Sequence, residues 1–416
     1  MTRSFRHSEQ RIVRRGVRAR RGFAMFMALG ALVIIGVLIA GSSFLSLQET
    51  RLGQNQIVET RAFTAAEFGL NKIQADWDKT PNMKMANGAS YDTSYVVNSK
   101  DTVKVRYTRL NAETFWIVSE GRAFRGTVGL ASRTAVKRLG AILRLRIPTI
   151  KTEGAITAGG NVVVRGGADI YGNNTNPPGW GDPTTGDCTG ISGSDKAGVV
   201  VPNGYTVTTQ GSSTVQGGGY PNGWTTDPLA ANSNTYVQFG DETWNSLTSQ
   251  ANVTLVGDQT LGSGIGPTVT PPLIGTTCDK SNQFNWGEPW RVGVGGHTVA
   301  DVVVPCQNYF PIIYSNGNLT LNSNGHGQGI LLINGSITIN GHFEWYGLII
   351  VTNDIVRGNG SAAIYGGVMA RNEVKADESI ISGTTSYNYS ACALERAMRG
   401  SAQVVQAKER AWTELY

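Results

Sequence analysis

The sequence predicts an α+β protein in which a long N-terminal helix precedes a small antiparallel β-sheet, a β-solenoid and a C-terminal helix. Two observations lead to this class: an uncharged apolar run near the N-terminus, and a later region rich in Gly, Asn, Val and Ile that contains a short repeat. Gly supplies 53 of the 416 residues and only 16% of residues are charged, which excludes a helical bundle and a charge-rich disordered chain. The length exceeds the usual ~100–200 residues of one domain, so several domains are expected.

A basic leader occupies residues 1–21. It carries eight Arg and one Glu, while the rest of the chain has 28 basic and 29 acidic residues. The net charge of +6 therefore belongs to the leader. The body offers no broad positive surface for nucleic acid.

Residues 22–47 contain no charged side chain and predict one transmembrane helix. A helix of about 20 apolar residues crosses the hydrocarbon core, so this run spans it with some tilt. The Arg-rich leader predicts a cytoplasmic N-terminus in the inner membrane, with the body exported to the periplasm, the cell surface or a pilus. A cleaved secretory signal is the alternative, with a small-residue site at Ala40-Gly41-Ser42, but signal cores usually run only ~7–15 residues.

Residues 48–78 keep helical spacing without Pro, so the predicted helix leaves the membrane unbroken and ends near Trp77. Ala62, Ala66 and Gly69 fall three or four residues apart and form a stripe of small side chains. The whole helix would measure roughly 80 Å at about 1.5 Å per residue. A rod of that length predicts packing against other helices through this stripe.

Two groups of residues in this region resemble the PilX-type proteins of type IV pilus assembly. Arg21-Gly22-Phe23 looks like a prepilin signal, which is cut between Gly22 and Phe23. The second group is similar to the PilX N-terminal domain and comprises Glu49, Arg51, Asn55, Ala62, Phe63, Ala65, Ala66, Glu67 and Leu70. The resemblance covers residues 15–75. It implies a minor-pilin-like subunit whose partners are other pilins and minor pilins, and whose apolar helix moves from the inner membrane into a filament core.

One position departs from the pattern of major pilins. They carry Glu at the fifth position after the cleavage site, where this sequence has Met27. In the family that Glu is thought to pair with the N-terminal amine of a neighbouring subunit, which relieves a buried charge. Either this subunit needs no such partner on one side, as at a pilus tip or initiation complex, or PilX-like anchors tolerate an apolar residue there.

Residues 79–150 predict a small antiparallel sheet packed on the end of the stem. The polar segment 79–100 predicts a loop. Apolar and polar residues alternate over 103–107, and residues 115–118 are an apolar run. Together these two segments predict a hairpin. Two further strands are expected, at Gly126 to Val136 and at Leu139 to Ile147.

A repeat of about 18 residues predicts a β-solenoid over 151–390. A turn of 18 residues suits a left-handed prism, but the strict hexapeptide pattern is absent, which favours an irregular right-handed helix. Equivalent inward positions recur at Leu319, Ile337, Ile355 and Val374. A unit this short cannot bury its own apolar face, whereas stacked copies can. Residues 156–164 fit the same template, so the chain would form one coil, leave in an insertion at about 173–311 and return. Residues 196–207 and 252–261 could add coils of irregular period inside the insertion. Residues 391–416 predict a helix that covers an open end of the solenoid or the small sheet.

All four Cys follow the apolar run, and none has metal-binding spacing, so disulfides are favoured over zinc. Cys278 with Cys306 is the first choice, which leaves Cys188 with Cys392; free buried thiols are the alternative. The insertion also concentrates five tryptophans: Trp180, Trp224, Trp244, Trp286 and Trp290. They either form a sugar-binding or other adhesive surface or, as the favoured interpretation, hold long loops in place.

The sequence predicts no enzymatic activity, no metal site and no cofactor. Asn318, Ser336, Asp354 and Glu373 share one column of the repeat. A polysaccharide-cleaving β-helix would use such a column of acids, but a polar ladder is the simpler explanation. The leading interpretation is a membrane-anchored, minor-pilin-like protein that presents an exported β-solenoid with an adhesive role, for which surface glycans are the expected partners. The alternative is a surface-anchored carbohydrate-binding or polysaccharide-cleaving β-helix protein.

Overall fold

The structure is a computed structural model. It describes residues 23–77, 85–125, 133–181, 187–262, 266–268, 270–322, 324–356, 360–372, 379–381, 384–406 and 412–415.

Helix α1 (Phe23–Ala75) is a single helix of 53 residues. The predicted continuity between the apolar run and the polar stem is therefore confirmed. No residue between Phe23 and Ala75 is Pro, so nothing in the segment removes a backbone donor from the helix.

The small sheet follows α1 and contains four antiparallel strands from this part of the chain. They are β1 (Ser90–Asn98), β2 (Asp101–Arg109), β3 (Thr114–Arg125) and β4 (Arg133–Arg146). The predicted hairpin is present as β2 and β3, in which Val105 pairs with Ser119.

Two details of this region differ from the prediction. The segment expected as a loop contains β1, an edge strand that pairs only with β2 among the described residues. An edge strand with an exposed face can be polar, which is why its composition resembled a loop. The two further strands expected at 126–136 and 139–147 are one long strand, β4, while residues 126–132 lie outside the described part.

The C-terminal segment ends in strands rather than in one helix. Helix α3 (Ala391–Gly400) is capped by Ser390, whose side chain accepts a hydrogen bond from the amide of Ala393. Beyond it, β27 (Gln403–Gln406) and β28 (Trp412–Leu415) pair antiparallel with β4. The prediction of a helix over 391–416 is thus wrong after Gly400. The edge of β4 that does not pair with β3 carries N–H and C=O groups that need partners. Strands β27 and β28 supply those partners, whereas a helix at this position would have left the groups unpaired.

The remaining strands form the β-rich body. They are β5 (Gly154–Ala158), β6 (Val162–Gly166), β7 (Asp169–Tyr171), β8 (Ala197–Val201), β9 (Val207–Gly211), β10 (Thr214–Gln216), β11 (Trp224–Thr226), β12 (Gln238–Phe239), β13 (Glu242–Thr243), β14 (Val253–Val256), β15 (Gln259–Leu261), β16 (Leu273–Ile274), β17 (Thr277–Cys278), β18 (Ile312–Asn316), β19 (Leu319–Leu321), β20 (Gly325–Ile333), β21 (Ile337–Ile339), β22 (His342–Val351), β23 (Ile355–Val356), β24 (Ser361–Ala370), β25 (Ser379–Ile381) and β26 (Thr384–Tyr389). Helix α2 (Trp244–Ser249) and 3₁₀ turns at Pro228–Ala231, Ser233–Tyr236 and Val304–Cys306 lie between them.

Parallel pairing follows the 18-residue repeat. In the largest sheet, Ile330 on β20 pairs with Leu348 on β22, which pairs with Gly367 on β24. A second sheet has the order β15-β19-β21-β23 and a third the order β25-β6-β9. The repeated inward positions Leu319, Ile337 and Ile355 are buried, whereas Val374 lies outside the described residues.

Several strands of the stretch predicted as an insertion belong to the same sheets. Strand β14 pairs with β18, β8 pairs with β5, and β9 pairs with β6. Strand β5 also pairs with β24, so the first strand of the body lies inside the sheet rather than at its end. Loops of unequal length separate these strands, which hides their period in the sequence.

Glycine permits the bend that each long strand makes midway. Gly347 and Gly366 have φ of 142° and 138°, values that L side chains rarely adopt. A Cβ on Gly366 would also collide with the carbonyl of Gly347 on the neighbouring strand. The repeat therefore requires glycine at these stacked positions.

Candidate functional site

The N-terminal half of α1 exposes a continuous apolar surface. From Phe23 to Leu47 every large apolar side chain is more than half exposed, from 51% at Ile35 to 79% at Phe26. Its mean hydropathy reaches 2.7 over an 18-residue window, and it is the one candidate membrane span among the described residues. By length and composition this segment suits a membrane anchor or a signal sequence. Phe23 begins the helix, and Gly22, the other residue of the predicted cleavage site, lies outside the described residues.

The C-terminal half of α1 packs on the protein's own small sheet. Its buried residues are Val58, Ala62, Ala65, Ala66, Gly69, Leu70 and Ile73. The hydroxyl of Ser119 donates a 2.7 Å hydrogen bond to the carbonyl of Ala66. A Cβ on Gly121 would meet the backbone of Ala62 and Ala66, so small residues on both elements are what allow the close approach.

The stripe of Ala62, Ala66 and Gly69 is consequently occupied within the chain. Ala62 and Ala66 have no exposed surface, and a Cβ on Gly69 would collide with Ser119 and Val103. The prediction that this stripe contacts other helices is corrected: the spacing revealed a packing face, but its partner is β2 and β3.

The other residues of the PilX-like motif differ in their exposure. Glu49, Arg51, Asn55 and Glu67 are exposed, Ala65 and Leu70 are buried with the stripe, and Phe63 is half-buried. The ring of Phe63 lies edge-on to Trp412 of β28, with centroids 6.5 Å apart. The C-terminal strand thus contacts the helix at this ring.

An ion pair holds α1 beside the first hairpin. The Nε of Arg61 donates to Oδ2 of Asp101 at 3.2 Å, and the amide of Asn98 donates to the same oxygen at 2.7 Å. Asp101 is only 5% exposed. Because the buried carboxylate of Asp101 accepts hydrogen bonds from both Arg61 and Asn98, the positions of these side chains are fixed. The contact therefore orients the stem on the sheet.

The five tryptophans do not form one surface. Trp180 and Trp286 are completely buried, so their assignment to a binding surface is wrong. Trp224, Trp244 and Trp290 are half-buried. The indole of Trp290 stacks on His297 with centroids 3.8 Å apart, and its Nε1 donates to Glu344 at 2.7 Å. The structure thus supports the interpretation that the tryptophans hold loops against the sheets.

Both favoured cysteine pairs are present as disulfides. Cys188 joins Cys392 with Cα atoms 5.5 Å apart, and Cys278 joins Cys306 with Cα atoms 5.0 Å apart. The first bond connects the segment after Trp180 to α3. The second closes the loop that precedes β18.

A buried charge cluster lies beside the first disulfide, and sequence reasoning missed it. Asp187 forms ion pairs with Arg291, at 2.7 Å, and with Arg396 on α3. Both guanidinium groups lie about 5 Å from the ring centre of Trp180, at 5.0 and 5.1 Å. Burial lowers the pKa of Arg396 to about 10. The three charged residues are far apart in sequence, so no local pattern could reveal them.

A second buried pair consists of Glu288 and His326. The Oε1 of Glu288 lies 3.5 Å from Nε2 of His326, and neither side chain is exposed. Burial raises the pKa of Glu288 to about 7 and lowers the pKa of His326 to about 3. Glu288 accepts hydrogen bonds from the amides of Trp290 and Val303. Neither side chain reaches solvent, and the two backbone amides that donate to Glu288 tie the pair to the surrounding loop.

The polar column of the repeat is a structural ladder. Asn318 accepts a 2.9 Å hydrogen bond from the amide of Ser336, and the hydroxyl of Ser336 accepts one from the amide of Asp354 at 3.3 Å. Asp354 is 4% exposed and accepts a hydrogen bond from Asn372. Glu373 lies outside the described residues. A cleft with two accessible carboxylates, which glycoside cleavage requires, is not formed by the described members of this column.

Within the described ranges, no group of three His, Cys, Asp or Glu side chains is arranged to hold a metal ion. Comparison with known proteins adds no relative: no protein-family model, no curated protein and no solved structure matches the chain.

Proposed function

We propose that this chain is a membrane-anchored, minor-pilin-like subunit of PilX type that presents an exported β-solenoid. The observation that carries the proposal is the division of α1 into an exposed apolar half and a half that is packed on an antiparallel sheet. One unbroken helix then serves as both anchor and stem, which is the arrangement that the resemblance implies.

The exposed half of α1 needs an apolar environment. Each large side chain left in water would cost about 25 cal/mol per Å² of apolar surface. A lipid bilayer covers such a helix before assembly, and the apolar helices of other pilins cover it in a filament. The Arg-rich leader favours insertion with the N-terminus in the cytoplasm.

The β-rich body is proposed to be the displayed part. Parallel pairing at the 18-residue repeat, with a buried apolar column at each turn, supports a β-solenoid. Two disulfides support an oxidising location outside the cytoplasm. A polysaccharide-cleaving enzyme is not proposed, because Asp354 is buried in the ladder.

The test is the N-terminal sequence of the mature protein from membranes. The proposal expects a chain that begins at Phe23, and a Gly22→Val variant that retains its leader. Gly16→Val, the same change at another leader glycine, should be processed normally. A mature chain beginning near Ser42 would indicate a secretory signal and contradict the proposal, as would an unprocessed wild type.

A further inference from the structure

Side chains on the outer face of the largest sheet stand in register across several strands. In-register pairs run from β22 through β24 and β26 to β7. One column contains Glu344, Ala363, Ser386 and Asp169, and the next contains Tyr346, Tyr365, Asn388 and Tyr171. We call these two columns the outer strip. All of its members except Tyr346 are partly exposed, while the intervening Ile364 and Tyr387 point into the core.

The outer strip combines aromatic rings with hydrogen-bonding groups. Tyr365 stacks on Tyr346 with centroids 5.1 Å apart, and Tyr346 stacks on the buried Trp180 at 5.6 Å. This stack of rings ends at Tyr365, which is partly exposed. Beyond it lie Asn388 and Ser386. The side-chain amide of Asn388 donates to Oγ of Ser386 at 3.2 Å and to the carbonyl of Ile364 at 3.4 Å, so the two side chains are held together on this face. Aromatic rings beside amides and hydroxyls are the groups that recognise the C–H faces and hydroxyls of sugars.

The acidic side chains of the strip are held in place. Glu344 accepts hydrogen bonds from Nε1 of Trp290 at 2.7 Å and from the hydroxyl of Tyr346 at 3.1 Å. Asp169 accepts one from Thr214 at 2.6 Å. Fixed carboxylates accept hydrogen bonds from ligand hydroxyls without further ordering cost.

The charge of the strip selects among ligands. It contains two carboxylates and no Lys or Arg among its members. Uronic acid polymers, phosphates and nucleic acids would be repelled, since like charges in contact are costly. A neutral ligand that supplies many hydroxyl donors fits this surface.

We propose that the outer strip binds an extended neutral glycan along the direction in which the strands stack. Neighbouring strands lie about 4.8 Å apart, which is close to the rise of one sugar in an extended β-linked chain. Successive sugars would therefore meet successive rows of the strip, with Tyr365 and Tyr171 packing on ring faces and Ser386 and Asn388 bonding hydroxyls. This site differs from the tryptophans and does not depend on entry into a filament.

The test measures binding by the full chain in lipid nanodiscs, using calorimetry with cellohexaose, chitohexaose and β-mannohexaose, and with hexagalacturonate as the anionic probe. We expect saturable binding of at least one neutral hexasaccharide and none of hexagalacturonate. Tyr365→Ala should weaken binding by about tenfold, the equivalent of losing one aromatic contact. Tyr91→Ala, the same change on the small sheet, should leave it unaltered.

A second variant separates a lost contact from a disturbed fold. Ala363→Lys adds a long side chain in the middle of the strip without touching the core, and it should abolish binding. Thr254→Lys, at an exposed position on β14 of the same sheet, should not. The proposal is overturned if none of the neutral hexasaccharides binds, if hexagalacturonate binds as well as they do, or if Ala363→Lys binds like the wild type.

Discussion

At the level of single residues, burial of Glu288 makes stability depend on pH. Its pKa is raised from 4.5 to about 7 in the folded chain. The stabilisation from its protonated form is therefore fully present below pH 4.5 and is lost as the pH rises through 7. Glu288→Gln has no carboxyl group to ionise, so its stability does not fall over this range. Relative to wild type, the variant should gain about 2 to 3 kcal/mol of unfolding free energy between pH 4.5 and pH 8, measured by urea unfolding in detergent.

His326 provides the control of opposite sign. Its pKa is lowered from 6.5 to about 3 by burial. The stabilisation from its neutral form is therefore present above pH 6.5 and lost as the pH falls through 3. The His326→Gln variant should gain unfolding free energy relative to the wild type as the pH falls below 6.5. Parallel pH profiles for the wild type and both variants would show that neither group is buried as described.

Single residues also show the limits of sequence reasoning. Cysteine counting found both disulfides, because four cysteines leave few pairings. Burial of Trp180 could not be predicted, since it depends on Arg291, Arg396 and Tyr346, which come from three separate segments. The pair of Glu288 and His326 escaped notice for the same reason.

At the level of elements, the packing of α1 on the small sheet depends on small side chains. Ala62→Leu should overpack the contact with Gly121 and lower the free energy of unfolding by about 1 to 3 kcal/mol. Thr64→Leu, on the exposed side of the same helix, should change it by less than about 0.5 kcal/mol. Equal effects of the two substitutions, measured by denaturant unfolding, would contradict the packing.

Helix α3 is tied to the body by the disulfide between Cys188 and Cys392. Replacing both cysteines with Ser should cost about 2 to 4 kcal/mol and increase trypsin cleavage after Arg399. Replacing Cys278 and Cys306 with Ser removes a bond in another loop, so α3 should stay protected from trypsin. If both double variants were cleaved at Arg399 alike, the first disulfide would not be what holds α3.

Elements with a strong period were predictable, and those defined by distant partners were not. Helical spacing without Pro predicted α1, and the 18-residue repeat predicted the pairing of β20 with β22. The same spacing could not say that the Ala62 stripe faces β3. In the C-terminal segment, one helix was predicted over 391–416, yet pairing with β4 imposed strands after Gly400.

At the scale of the whole molecule, an exposed apolar rod is joined to a disulfide-bonded β body. Ile34→Arg places a charge in the middle of the apolar half, at a cost of about 2.5 to 3.5 kcal/mol for insertion. The fraction recovered in carbonate-washed membranes should fall. Leu52→Arg, an equally exposed position beyond the apolar run, should not change it, and loss of both variants from membranes would contradict an anchor confined to residues 23–47.

The central claim is that α1 is one helix across the end of its apolar run, where the proposed anchor would leave the membrane. Its most direct test is the distance between spin labels at Ile39→Cys and Ile57→Cys, which lie on either side of Leu47, measured by pulsed electron paramagnetic resonance on the full chain in nanodiscs. Both positions are exposed and lie 18 residues apart, and every native cysteine is in a disulfide. An unbroken helix predicts a narrow distribution near 27 Å, from about 1.5 Å per residue. A broad distribution, or one centred at a clearly shorter distance, would mean that the rod breaks at the membrane surface and would contradict the account.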